Sequence, residues 1–144
     1  MGQQGKHLNS IKVSHEKHTA GCATEIMAIP ETVCISMSQH IGAPCKPLVK
    51  KGDQVKVGQL IGDTDAFVSA PIHSSVSGTV KEISTIRSVT GGDDQVVIIE
   101  TDGNQDVYEE IKPPVINDMK DFIAAVRASG LVGLGGASFP THIK

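Results

Sequence analysis

Between residues 26 and 101 the apolar positions fall in short runs rich in Val, Ile and Thr, cut every few residues by glycine, proline or aspartate. The runs cover 32–37, 48–49, 54–57, 60–62, 67–70, 76–84 and 96–101. Punctuation comes from Gly42, Gly52-Asp53, Gly58, Gly62, Pro71, Gly78 and Gly91-Gly92. Strands this short leave no room for crossover helices, so the pattern predicts a compact antiparallel barrel or sandwich and not a parallel sheet.

The pattern changes after Thr101. Asp102-Gly103-Asn104 ends the last strong run, and Pro113-Pro114 interrupts any regular element. Asn117 is the expected helix cap, with Asp118 and Asp121 favourable in the first turn. Met119, Phe122, Ile123 and Val126 follow at i, i+3, i+4 and i+7, which predicts an amphipathic helix over 118–129 with its apolar face packed into a core. Gly130 suits the left-handed residue that closes a helix. The helix runs directly into a glycine-dense segment, Gly133-Leu-Gly-Gly-Ala-Ser-Phe-Pro-Thr-His-Ile-Lys144. Residues 1–24 show neither period and read as an irregular arm. Three units result: the arm at 1–24, an all-β domain at 25–112, and the opening of a second domain at 113–144.

Composition narrows the function classes. Aromatic residues make up 3% of the 144 positions, with no Trp and one Tyr, Tyr108, so the core must be aliphatic. A formal charge of −3 and the lack of aromatics among the Lys and Arg positions exclude nucleic-acid binding. No stretch approaches the roughly 20 apolar residues of a membrane span, and no apolar signal core opens the chain, so a soluble cytoplasmic protein without direct membrane insertion is expected. Cys22, Cys34 and Cys45 are odd in number and contain no Cys-x-x-Cys pair, which argues against a disulfide framework, structural zinc or a cluster held within these residues. His7, His15 and His18 lack carboxylate or thiolate partners at ligand spacing, so no metal site is expected there.

Candidate chemistry concentrates in two places. In the glycine-dense segment, Gly133, Gly135 and Gly136 remove the side chains that keep a flat or charged ligand from the backbone, and such loops commonly hold phosphate or cofactor groups through main-chain N–H donors. The rest of such a site is expected beyond Lys144, and the segment itself is expected to be loose while the barrel folds alone. The second place is Val49-Lys-Lys-Gly-Asp-Gln-Val-Lys-Val-Gly-Gln-Leu-Ile61 followed by Ser75-Val-Ser-Gly-Thr-Val80. It resembles the biotinyl and lipoyl carrier domains, whose tight glycine reversals close a barrel-sandwich hybrid. A carrier needs an acylable lysine at a hairpin tip, yet no lysine lies between Lys56 and Lys81. The carrier function is therefore excluded while the fold is retained. His40 and His73, beside Pro44 and Pro71, are expected to bond backbone and not to transfer protons. Cys45 is expected to be a small buried thiol despite the adjacent Lys46. Lys50, Lys51, Lys56 and Lys81 offer at most a weak docking face for an acidic partner.

Gln39-His-Ile-Gly-Ala-Pro-Cys-Lys-Pro-Leu-Val-Lys-Lys-Gly-Asp53, with Phe67-Val-Ser-Ala-Pro-Ile-His-Ser-Ser-Val-Ser-Gly-Thr-Val80, closely resembles the N-terminal region of the RnfC family, a subunit of the membrane-bound Rnf electron-transport complex. The resemblance covers residues 15–144. The terminal segment is similar to that family's flavin loop at Gly133, Gly135, Gly136, Ala137, Phe139, Pro140 and Thr141, and Lys144 matches a following lysine. Leu134 stands where complex I flavoproteins carry Arg, and Ser138 replaces a glycine, placing a Cβ where φ is expected to be positive.

The resemblance implies a barrel-sandwich hybrid followed by one helix that opens a flavin/NADH-binding α/β domain similar to the flavoprotein subunit of complex I. It implies FMN and NAD(H) in the whole protein, four-iron clusters downstream, and none of these bound to the present residues alone. The cofactor-binding residues it implies are Gly133, Gly135, Gly136, Ala137, Phe139 and Lys144, with no catalytic or metal-ligating residue. The implied partners are the other Rnf subunits and, through them, ferredoxin, at the inner face of the cell membrane in a complex that passes electrons to NAD and pumps a cation. A related soluble RnfC-like flavoprotein, serving proline reductase or cobalamin reduction, is the alternative.

Overall fold

The computed structural model describes residues 14–88 and 91–144. Among these residues seven strands precede one α-helix: β1 Thr32–Ser36, β2 Lys46–Pro47, β3 Gln54–Val55, β4 Leu60–Asp63, β5 Ile72–His73, β6 Gly78–Arg87 and β7 Asp93–Thr101, then α1 Met119–Ala128. All strand pairs are antiparallel. They form a four-stranded sheet in the order β1-β7-β6-β3 and a three-stranded sheet in the order β2-β4-β5.

The core lies where the two sheets meet. Ile35, Val55, Val80, Val97 and Ile99 come from the larger sheet, Ile61 and Ile72 from the smaller, and Met37, Cys45 and Val76 from the connections. The alternation expected of half-buried strands is visible in β1, where Ile35 is buried and Thr32 and Cys34 are exposed. With no Phe, Tyr or Trp in it, this core is built from branched aliphatic side chains together with Met37 and Cys45, as the composition requires.

Several predicted elements shift. Residues 67–70 form no strand, and Phe67 is 81% exposed. The Ser69 hydroxyl lies 2.6 Å from the Ala66 carbonyl oxygen and 3.3 Å from that of Thr64, folding 64–69 into a local turn. A side chain that takes up backbone acceptors in this way competes with strand pairing. The strand expected there is β5, two residues after Ala70. The predicted strand 48–49 is instead β2 at Lys46–Pro47, although the Leu48 amide still bonds the Ile61 carbonyl at 2.8 Å. The hairpin β6–β7 extends beyond the apolar runs because polar pairs such as Thr85 with Gln95 and Arg87 with Asp93 continue the ladder. A register shift between Val80 and Glu82 marks a bulge at Lys81.

The helix forms as its periodicity predicts, with two corrections. Its N-cap is Asp118, not Asn117: the Asp118 carboxylate accepts the Asp121 amide at 2.9 Å. Asp121 in turn accepts both the backbone and side-chain N–H groups of Asn117 at 3.0 Å, so Asn117 supports the cap from outside. The second correction concerns packing. No residue of α1 is buried, and Met119, Phe122 and Ile123 remain 69%, 50% and 44% exposed. Its apolar face therefore does not join the core. Of the irregular arm, residues 1–13, including His7, lie outside the described residues, and residues 14–24 are exposed.

Candidate functional site

The glycine segment follows α1 after one left-handed residue, Gly130, at φ 70°. Two cross-segment bonds close it into a turn: Gly133 N–H to the Phe139 carbonyl, and Thr141 N–H to the Leu131 carbonyl, both 2.9 Å. A bridge pairs Val132 with Pro140, which is buried, and a short 3-10 turn at Thr141–Ile143 completes the unit. These bonds tie the two arms of the segment to each other.

The predicted site residues divide by position. Gly135 and Gly136 sit at the exposed crest, and a Cβ at either would meet nothing within 4 Å. Ala137 is exposed beside them, whereas Phe139 is half-buried and holds the base of the turn through its carbonyl. The Lys144 side chain folds back so that Nζ would lie 3.0 Å from a Cβ on Gly133. A cation is thus placed beside Gly133 at the base of the turn, and the backbone crest at Gly135 and Gly136 is open to solvent. That geometry suits a flat or anionic group approaching the main chain.

Ser138 adopts φ 53°, the left-handed conformation expected where the related loops carry glycine. Returning glycine to this position should remove the Cβ strain and stabilise the turn by roughly 0.5–1 kcal/mol. Slower amide exchange at Gly133 in Ser138→Gly would register the gain; an unchanged rate would show that the serine is accommodated without cost.

The turn is carried on a polar joint between α1 and the barrel. Arg127, in the last turn of α1, places Nη2 2.9 Å from Asp63 Oδ1 and Nη1 3.3 Å from Oδ2, and donates to the Thr64 carbonyl at 3.0 Å. Burial pushes the Asp63 carboxyl up, but the Arg127 hydrogen bonds and the Thr64 amide at 2.8 Å outweigh it and hold the group below the usual carboxylate range. Asp63 is accordingly ionised at neutral pH. Neither side chain is more than a third exposed. This pair carries no sequence signal, since 64 positions separate its members. A basic residue in a final helical turn reads locally as a partner for the helix dipole.

His40 and Cys45 behave as structural groups. His40 Nε2 accepts the Ala70 amide at 3.1 Å, which leaves Nδ1 as the donor to the Ile41 carbonyl at 3.1 Å. The Cys45 thiol lies 3.2 Å from the Ala70 carbonyl oxygen, and burial followed by the charge of Asp63 raises its pKa against the opposing effect of Arg127. A thiol so placed is a poor nucleophile. His73 is half-buried, and burial lowers its pKa despite Asp63. Burial, and secondarily Arg127, lowers that of His142. A cavity of about 120 Å³ separates His40 and His73, with Pro71, Gly130 and Val132 on its walls.

Lys56 is ion-paired to Glu109. Lys50 and Lys51 lie in a turn tied to β6 by the Gly52 amide and Val80 carbonyl, adjacent to Lys81, and all three are exposed. In the 63–72 connection, where a carrier domain needs its lysine, the exposed side chains are Asp65 and Phe67. Among the described residues no group of three or more His, Cys, Asp or Glu is arranged to hold a metal ion, and no helix is long and apolar enough to cross a membrane.

Comparison with known proteins adds a family and a set of relatives. Residues 6–104 match the RnfC barrel sandwich hybrid domain. One subunit of the proton-translocating ferredoxin:NAD(+) oxidoreductase complex of Clostridium ljungdahlii is 45% identical over 133 residues, covering 90% of this chain and 29% of that protein. The like-named subunit of the Na(+)-translocating ferredoxin:NAD(+) oxidoreductase complex of Acetobacterium woodii is 49% identical over 118 residues, covering 80% and 27%. Its counterpart in the ion-translocating oxidoreductase complex of Rhodobacter capsulatus is 34% identical over 136 residues, covering 91% and 26%. The chain thus spans less than a third of the length of these relatives.

Proposed function

The chain belongs to the RnfC family, and from that premise we propose that it is the N-terminal module of an RnfC-type electron-transfer subunit: a barrel scaffold that presents a docking surface and one wall of a flavin site. The relatives are named as subunits of ferredoxin:NAD(+) oxidoreductase complexes that translocate protons or sodium ions, and the same role is proposed for the protein to which these residues contribute. Its partners in this reading are the other subunits of that complex, with ferredoxin as the distant electron donor, and its place is peripheral, on the cytoplasmic side of the membrane.

The observation that carries the reading is an amphipathic helix with no buried residue running into a glycine crest with open space at Gly135 and Gly136. An apolar stripe on Met119, Phe122 and Ile123 needs a covering surface, and the α/β domain that α1 would open supplies one. Gly135, Gly136 and Ala137 would present backbone to FMN, with Phe139 at the base and the Lys144 ammonium beside Gly133. When bound, FMN supplies hydride acceptance coupled to single-electron release. NAD(H) and four-iron clusters are assigned to sequence beyond these residues.

Two measurements test this. Titrated with FMN, the 144-residue chain alone is expected to show no saturable fluorescence quenching in the micromolar range; saturable binding would make the helix and turn a complete site and overturn the one-wall reading. Residues 1–144 exchanged for the matching part of the Clostridium ljungdahlii protein should give a chimera that retains flavin. A folded, flavin-free chimera would sink the assignment.

A further inference from the structure

The orientation of the glycine turn poses a physical problem. A helix normally takes its angle on a domain from buried side chains, and α1 has none. What joins it to the barrel lies at its C-terminal end. The Arg127 guanidinium uses both arms of its fork on Asp63 and a further N–H on the Thr64 carbonyl, all at the mouth of the β4–β5 connection. Three residues on, Gly130 approaches the barrel so closely that a Cβ there would lie 2.5 Å from the Pro71 carbonyl oxygen and 3.3 Å from His73 Nδ1. The first arm of the turn begins immediately after this contact, and its Leu131 and Gly133 make the closing bonds to Thr141 and Phe139 on the second arm.

We propose that Arg127, gripped by Asp63 and the Thr64 carbonyl, is the positioning residue that fixes the glycine turn 133–137 against the barrel. It acts by placing the end of α1, and it touches no cofactor. The planar guanidinium matters, because a bidentate carboxylate contact with a third bond to a carbonyl fixes direction as well as distance. A lysine ammonium at the same place is a point charge and fixes distance alone. The consequence for a flavin rests on the function proposed above; the placement of the turn does not.

Amide exchange in the 144-residue chain tests the assignment through Arg127→Gln and Arg127→Lys. No residue of α1 is buried, so neither variant removes barrel packing. In Arg127→Gln the Gly133 and Thr141 amides are expected to exchange at least about tenfold faster, while the barrel amides of Leu48 and Val80 stay within about twofold, a selective loss equivalent to roughly 1.4 kcal/mol. Arg127→Lys should fall between. Turn amides within about twofold of the parent, or barrel amides accelerating by the same factor, would overturn the proposal. No flavin enters this measurement, so its failure leaves the cofactor reading standing, and a flavin-free chimera leaves the latch standing.

Discussion

An alanine at Gly78 is expected to destabilise the barrel by on the order of 3 kcal/mol, the sum of backbone strain and overpacking that are each typically worth about 1–3 kcal/mol. Gly78 opens β6 at φ 155° and pairs on one side with Val55 of β3 and on the other with Thr101 of β7. A Cβ there would lie 2.1 Å from the Glu100 carbonyl oxygen and 2.9 Å from the Thr101 Cα. Both obstacles are backbone, so no side-chain rotation relieves them. The sheet must open between β6 and β7, the longest ladder in the fold, or β6 must abandon its register with β3. Urea denaturation followed by far-ultraviolet circular dichroism measures the loss. A cost below about 1 kcal/mol would show that the strands separate easily, and that the β3–β6–β7 junction does not hold the barrel together.

Gly78 also shows what kind of information the sequence carries. Read alone, it is one of many turn glycines between apolar runs, and that reading suffices to predict a small antiparallel barrel. Its actual place, inside a sheet against another strand's backbone, depends on a pairing that no local pattern contains. The 67–70 run fails for the opposite reason. Its residues favour a strand, but the Ser69 hydroxyl takes up the Ala66 and Thr64 carbonyls and folds the segment locally. The helix was legible in existence and length because its period repeats, whereas amphipathicity says only that one face wants a partner. It does not say whether the barrel supplies it. Ser138 was readable at the level of a single dihedral, since a serine in a glycine position signals positive φ. The Asp63–Arg127 joint was not readable at all: each residue has an ordinary local explanation, and only the fold brings them together.

Replacing Gly130 should separate the joint from the barrel without unfolding either. In Gly130→Ala the residue at φ 70° acquires a Cβ, and that Cβ runs into the Pro71 carbonyl oxygen at 2.5 Å, so strain and displacement together should cost the joint roughly 2 kcal/mol. The barrel strands do not include this residue, so the loss should appear as about thirtyfold faster exchange at Thr141 and Gly133 with the Val80 amide unchanged. Gly130→Asn separates the two causes. Asparagine tolerates the left-handed conformation but still carries a Cβ into Pro71. Because the contact is with backbone, asparagine should be nearly as damaging as alanine. If asparagine instead behaves like glycine, the dihedral alone is the constraint, and α1 does not rest on the β5 end of the barrel. The glycine turn would then owe its placement to Arg127 without a second point of contact, and a single latch can hold a distance while leaving the helix free to swing about it.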